Sequence, residues 1–137
     1  MNEYYRAADT PDIVSGMCCT PDLYVAECYA APDTLRDYGV GGANIYVITV
    51  SDDARILRLG DSAADAVDAL ADAGIDIYSD AERAWEVADR KDVQTAAIAA
   101  GYDLLSYTEP SPDYRHSDWP TVVVLNPAVV AGIEINE

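Results

Sequence analysis

Between residues 61 and 101 the chain carries three helical segments in succession, and extended runs lie on both sides of that block. Asp61 or Ser62 caps the first, AADAVDALADAG, which Gly74 ends. Asp80 caps the second, AERAWEVADR; the third runs from about Asp92 to Ala100 and is closed by Gly101. Ahead of the block, EYYRAA (3–8), IVSGMCCT (13–20), ANIYVITVS (43–51) and ARILRL (54–59) read as strands. Behind it, YDLLSY (102–107), TVVVLNP (121–127) and GIEIN (132–136) do the same. One further helix starts at Thr20-Pro21-Asp22, runs to about Ala30 and is stopped by Pro32. The predicted order is β, β, α, β, β, three helices, then β, β, β. Helices gathered in one block, not alternating with strands, point to α+β architecture and away from a doubly wound α/β fold.

At the helix start near residue 20, Thr20 supplies a cap oxygen, Pro21 suits the first turn and Asp22 complements the helix dipole. Gly16, inside an extended run, predicts a bulge or a close backbone approach. Gly39, Gly41 and Gly42 predict a turn before the third strand. Arg55 and Arg58 are spaced awkwardly for one strand face, and Trp85 is expected in the core. The adjacent Cys18 and Cys19 should point to opposite faces of their strand.

The chain has 137 residues, which favours one domain over 1–137 with a single substantial core. Only 8 Lys and Arg stand against 25 Asp and Glu, for a formal net charge of -17. So few cations exclude direct binding to nucleic acid by counterion release, and so many anions disfavour a negatively charged membrane surface. The charge itself has three readings: a salty or high-GC background, docking on a basic protein partner, or imitation of nucleic acid. MNEYYRAADT has neither a basic start nor an apolar segment, and no run approaches the ~20 apolar residues of a membrane span. A cytoplasmic protein is expected. With three cysteines, no C-x-x-C pair and His116 as the sole histidine, no metal site is expected. GVGGAN (39–44) precedes a strand instead of following one, so it fails the context of a phosphate-cradling loop.

Four short motifs occur in a telling order. They are Tyr5-Arg6 on the first strand, Thr20-Pro21-Asp22 with Ala26 and Tyr29, Gly101-Tyr102-Asp103 with Tyr107, and Val123-Val124-Leu125-Asn126-Pro127. Their order resembles that of small ADP-ribosyltransferase-like proteins of phage and toxin type. The likeness touches both ends of the chain and is weak over residues 50–95. It implies a split antiparallel β-sheet whose halves clamp NAD, with Arg6 on the cofactor's phosphates or ribose. An arginine suits that role because its planar fork makes paired, charge-assisted bonds to phosphate. The resemblance further implies that Thr20 supports the nicotinamide ribose or positions the catalytic acid, and that Tyr29 lines the nicotinamide side. Trp119, in the loop before the penultimate strand, is a further pocket residue.

One departure stands out. Such enzymes carry a glutamate at the start of the penultimate strand, because positive charge develops on the sugar as nicotinamide leaves. The matching position here is near Thr121, and the nearest acids are Asp118 and Glu109. Either acid acts on the ribose, or the chain keeps the fold without transferase activity. Two functions follow as expectations: an NAD-binding ADP-ribosyltransferase-like protein that modifies a protein target, or a non-catalytic acidic inhibitor, an anti-defence or nucleic-acid-mimicking protein, that covers a basic protein surface. Without the resemblance, Arg6 is an edge-strand arginine, Thr20 a helix cap, and Tyr29 and Tyr107 aromatics at the core's edge.

Overall fold

The computed structural model describes residues 2–30, 44–110 and 118–136, and within these the side chains of 28–30, 109, 110 and 118 are left aside. The described elements are β1 (Asn2–Ala8), β2 (Met17–Cys19), α1 (Leu23–Ala30), β3 (Asn44–Val50), β4 (Ile56–Arg58), α2 (Ala63–Asp72), α3 (Ala84–Ala88), α4 (Lys91–Ala99), β5 (Leu104–Pro110), β6 (Asp118–Val124) and β7 (Val130–Ile135). A 3-10 turn, Pro127–Val129, joins the last two strands. The glycines expected to form the turn before β3, and Pro32, lie outside the described residues.

The strands form two sheets, β1-β3-β7 and β2-β6-β5-β4, in an α+β arrangement. Among the described residues a backbone bridge between Tyr5 and Thr20 joins the sheets. The Tyr5 N–H donates to the Thr20 carbonyl at 2.7 Å, and the Thr20 N–H donates back to Tyr5 at 2.9 Å. From this seam the sheets stack face to face, so the sheet is split as expected. It is not wholly antiparallel: β4 runs parallel to β5, with Arg58 opposite Ser106. The cause is the helical block itself, which connects β4 to β5. A crossover through helices returns the chain to the end of the sheet it left, and parallel pairing follows.

Each strand of the four-stranded sheet serves two cores. Leu57, Leu105, Tyr107 and Val123 pack under α2, α3 and α4. Their neighbours Leu104, Val122 and Val124 face the other sheet, where they meet Tyr4, Ile48 and Val50. The unbroken run VVVL is what a central strand covered on both faces requires. Burying each such side chain contributes about 1.5–3 kcal/mol. Cys18 packs toward the helical core and Cys19 into the inter-sheet core, as the alternation of a strand demands. Helix α1 packs against β1 and β3, with Val25 and Ala26 buried.

Several local expectations need correction. Gly16 lies in a turn ahead of β2, with φ of +92°, and no bulge is needed to explain it. The α1 cap is Asp22, not Thr20: the Asp22 carboxylate accepts from the Tyr24 N–H at 2.9 Å, and the Asp22 carbonyl accepts the bond from Ala26 at 3.2 Å. Helix α3 begins at Ala84, and its first turn is closed by Glu86, whose carboxylate accepts from the Glu82 and Arg83 N–H groups. Asp80 therefore caps nothing there. Trp85 is 40 % exposed, because α3 buries Ala84, Val87 and Ala88 and leaves position 85 on the outer side. Elsewhere the Ser62 hydroxyl caps α2 by accepting from the Asp65 N–H at 3.1 Å.

Candidate functional site

A cleft of about 440 Å³ opens between the two sheets. One wall is the start of β1, with Asn2 and Tyr4; the other is β4, β5 and the start of β6, with Arg58, Ser106, Thr108, Thr121 and Val122. Pro21 and Pro120 border it. Its size falls in the range of small-ligand sites, roughly 300–1,000 Å³.

The wall builds from alternation. Ile56 faces the inter-sheet core and Leu57 the helical core, so Arg58 returns to the cleft side. Parallel pairing sets Arg58 opposite Ser106, and Thr108 comes two residues further along the same strand. The Thr108 N–H donates to the Gly60 carbonyl at 3.0 Å, which ties the end of this wall to the turn after β4. Across the cleft, burial pushes the Tyr4 phenol above its ordinary pKa, Cys19 adds to the rise, and the positive field of Arg58 opposes it. Among the described residues the Arg58 guanidinium forms no ion pair. Arg55, three residues earlier, does a different job: it lies 4.6 Å from the centre of the Tyr102 ring and donates to the Gly101 carbonyl.

Arg6 and Thr20 are brought close by the seam, since Arg6 follows Tyr5 and Tyr5 pairs with Thr20. Neither lines the cleft. The Arg6 guanidinium donates through Nη1 to the Cys18 carbonyl at 2.7 Å, and its Nε is buried with no hydrogen-bond partner among the described residues. Thr20 is 4 % exposed, and its hydroxyl donates to the Pro120 carbonyl at 2.6 Å. It fastens the β2–α1 junction to β6 at the edge of the cleft. Trp119 is buried in β6 and is not a lining residue.

The backbone of β5 and β6 pairs Glu109 with Trp119 and Pro110 with Asp118. Both acids thus belong to the ladder end next to Thr108 and Pro120. Their side chains, and that of Tyr29, lie outside the described residues. Thr121, at the position where the resemblance calls for glutamate, is buried and lines the cleft.

Cys19 is enclosed in the inter-sheet core, where burial pushes its thiol up to about 12; neighbouring Cys18 adds to the rise and Arg6 opposes it. It has no character of a nucleophile at neutral pH. Among the described residues, no group of three or more His, Cys, Asp or Glu side chains converges on one point. No helix among them is long and apolar enough to cross a membrane.

Sequence reasoning missed Arg58, Tyr4, Ser106 and Thr108. The only available signal was the awkward spacing of Arg55 and Arg58, which puts the two arginines to different uses.

No protein-family model, curated protein or solved structure matches this chain.

Proposed function

We propose that the chain binds NAD in the inter-sheet cleft and acts as an ADP-ribosyltransferase-like protein on a protein target, in a phage–host or toxin setting. The observation that carries this reading is the cleft itself, which lies between two half-sheets joined at the β1–β2 seam and holds a cation in a chain of net charge -17. An anionic dinucleotide needs such a fixed positive charge to settle against so acidic a protein. Arg6, beside the seam, keeps donors beyond the one given to Cys18.

In the proposed reaction the bond between the nicotinamide nitrogen and ribose C1′ breaks, and its electron pair leaves with nicotinamide. A nucleophile of the target attacks C1′ and gives up its proton. A carboxylate near the sugar stabilises the positive charge that develops between these events. With Thr121 at the expected glutamate position, Asp118 and Glu109 are the acids assigned to that role.

Isothermal titration with NAD, followed by measurement of nicotinamide release, tests the reading. Saturable binding with release, abolished in either Asp118→Asn or Glu109→Gln, supports a transferase. Binding without release indicates a fold that keeps the cofactor and has lost the chemistry. No binding at all removes the proposal.

A second reading has its own observation. Asp65, Asp68 and Asp72 follow one line along α2, Asp61 lies just ahead of its cap, and all four are exposed. This face suits an acidic inhibitor that covers a basic protein surface. It predicts a complex that dissociates steeply as salt is raised. A pull-down in which no basic partner elutes with salt would rule it out.

A further inference from the structure

We propose that Arg58, with the hydroxyls of Ser106 and Thr108, forms a phosphate-binding wall in the inter-sheet cleft and is the principal anchor for the diphosphate of a nucleotide ligand. This deepens the NAD reading and rests on it for the identity of the ligand, though not for the phosphate chemistry.

Arg6, Arg55 and Arg58 differ in what their guanidinium groups are committed to. Arg6 has one guanidinium nitrogen committed to the Cys18 carbonyl, its Nε is enclosed, and it does not line the cleft. Arg55 is held over the Tyr102 ring, outside the cleft. Arg58 lines the cleft, is exposed, and has no ion pair among the described residues. Arg6 and Arg55 also lack a carboxylate partner among the described residues, so what sets Arg58 apart is its place on the cleft wall with no hydrogen bond to a backbone carbonyl like theirs.

Its surroundings complete the case. The β4–β5 register sets Ser106 directly opposite Arg58, and Thr108 lines the same wall. Two hydroxyls beside a planar five-donor fork give the mixed set of neutral and charged donors that phosphate oxygens accept from. Tyr4 and Asn2 close the facing side, and the Arg58 field reaches the Tyr4 phenol across the gap. Because Arg58 is exposed and packs into neither core, replacing it changes the wall and not the fold.

The test is isothermal titration of the full chain with inorganic pyrophosphate and with NAD, on wild type, Arg58→Gln and Arg58→Lys. A thermal melt of each variant serves as a check that it has folded. Wild type is expected to bind both probes. Arg58→Gln should weaken both by at least about tenfold, and Arg58→Lys should recover part of the loss as a point charge without the fork. Pyrophosphate bound through Arg58 with no response to NAD would uphold the wall and sink the dinucleotide reading. NAD bound equally well by wild type and Arg58→Gln would do the reverse. Failure of wild type to bind either probe overturns both. Should Arg58→Gln not fold, Arg58→Lys carries the comparison, and unchanged pyrophosphate affinity in that variant overturns the role of the fork.

Discussion

The helical layer and the inter-sheet cleft sit on opposite faces of the same four-stranded sheet, and they divide the charge of the molecule between them. The helical block carries exposed Asp61, Asp65, Asp68, Asp72, Asp76 and Asp80 on its outer side. The cleft holds Arg58, hydroxyls and Tyr4, and no carboxylate lines it among the described residues. One sheet thus separates an anionic outer surface from a pocket in which Arg58 is the charged side chain among the described lining residues. The lesson is that a net charge of -17 describes the surface of the helices and says little about the place where ligand chemistry is proposed.

The largest effects should come from testing whether the two faces of the sheet matter equally. Leu104 and Leu105 are adjacent, both fully buried, and face opposite cores. Leu104→Ala and Leu105→Ala should each lower unfolding stability in urea by about 2–5 kcal/mol. A small loss at only one of them would mean that one face is loosely packed and that the two-core description is wrong.

Alkaline pH should strike the inter-sheet side first. The Cys19 thiol rises from an ordinary value of 9.0 to about 12 in the folded protein. The folded chain therefore holds that proton more tightly than the unfolded chain does. The resulting stabilisation is complete below about pH 9 and is lost as pH rises toward about 12. The raised Tyr4 phenol acts in the same direction above pH 10. Chemical denaturation at pH 8, 9 and 10 should show falling stability in wild type and a shallower fall in Cys19→Ala. Equal slopes would remove Cys19 from this account.

A smaller effect is expected where the two regions meet. Gly60 lines the cleft, has φ of +82°, and a Cβ added there would lie 2.9 Å from the Asp65 Cβ at the start of α2. Gly60→Ala should cost about 1–2 kcal/mol for the left-handed backbone alone, read as a lower urea midpoint. The smallest effect belongs to the outer surface. The Arg90–Asp92 pair is short, at 2.6 Å, but solvent reaches both side chains. Asp92→Asn should leave the thermal midpoint unchanged within error, because exposed ion pairs are screened. A clear drop would show that the helical layer depends on its charges more than the cleft does.

Much of this fold was legible in the chain. The strand and helix order followed from glycine stops, β-branched runs and the placement of the helical block. The opposite faces of Cys18 and Cys19 followed from strand alternation. Pairing direction was not legible, because it depends on how α2, α3 and α4 return the chain to β5, and periodicity within β4 carries no trace of that. Caps were read less well. Thr20 and Asp22 are both able to cap a helix; the Asp22 carboxylate accepts from the Tyr24 N–H, while the Thr20 hydroxyl accepts from the Asp22 N–H just ahead of the helix and donates to Pro120, a residue far away in sequence. The site was the hardest part. Arg6 was conspicuous in its motif, whereas Arg58 becomes visible only when a three-residue strand is set beside β5 with its side chain in the cleft.

The central claim is that ligand chemistry resides between the sheets and not on the acidic helices. Amide chemical shifts of isotope-labelled protein, followed during titration with NAD, test it most directly. The account predicts shifts concentrated at Tyr4, Arg58, Ser106, Thr108 and Val122, with α2, α3 and α4 unmoved. Shifts confined to those helices, or an unchanged spectrum at saturating NAD, would contradict it.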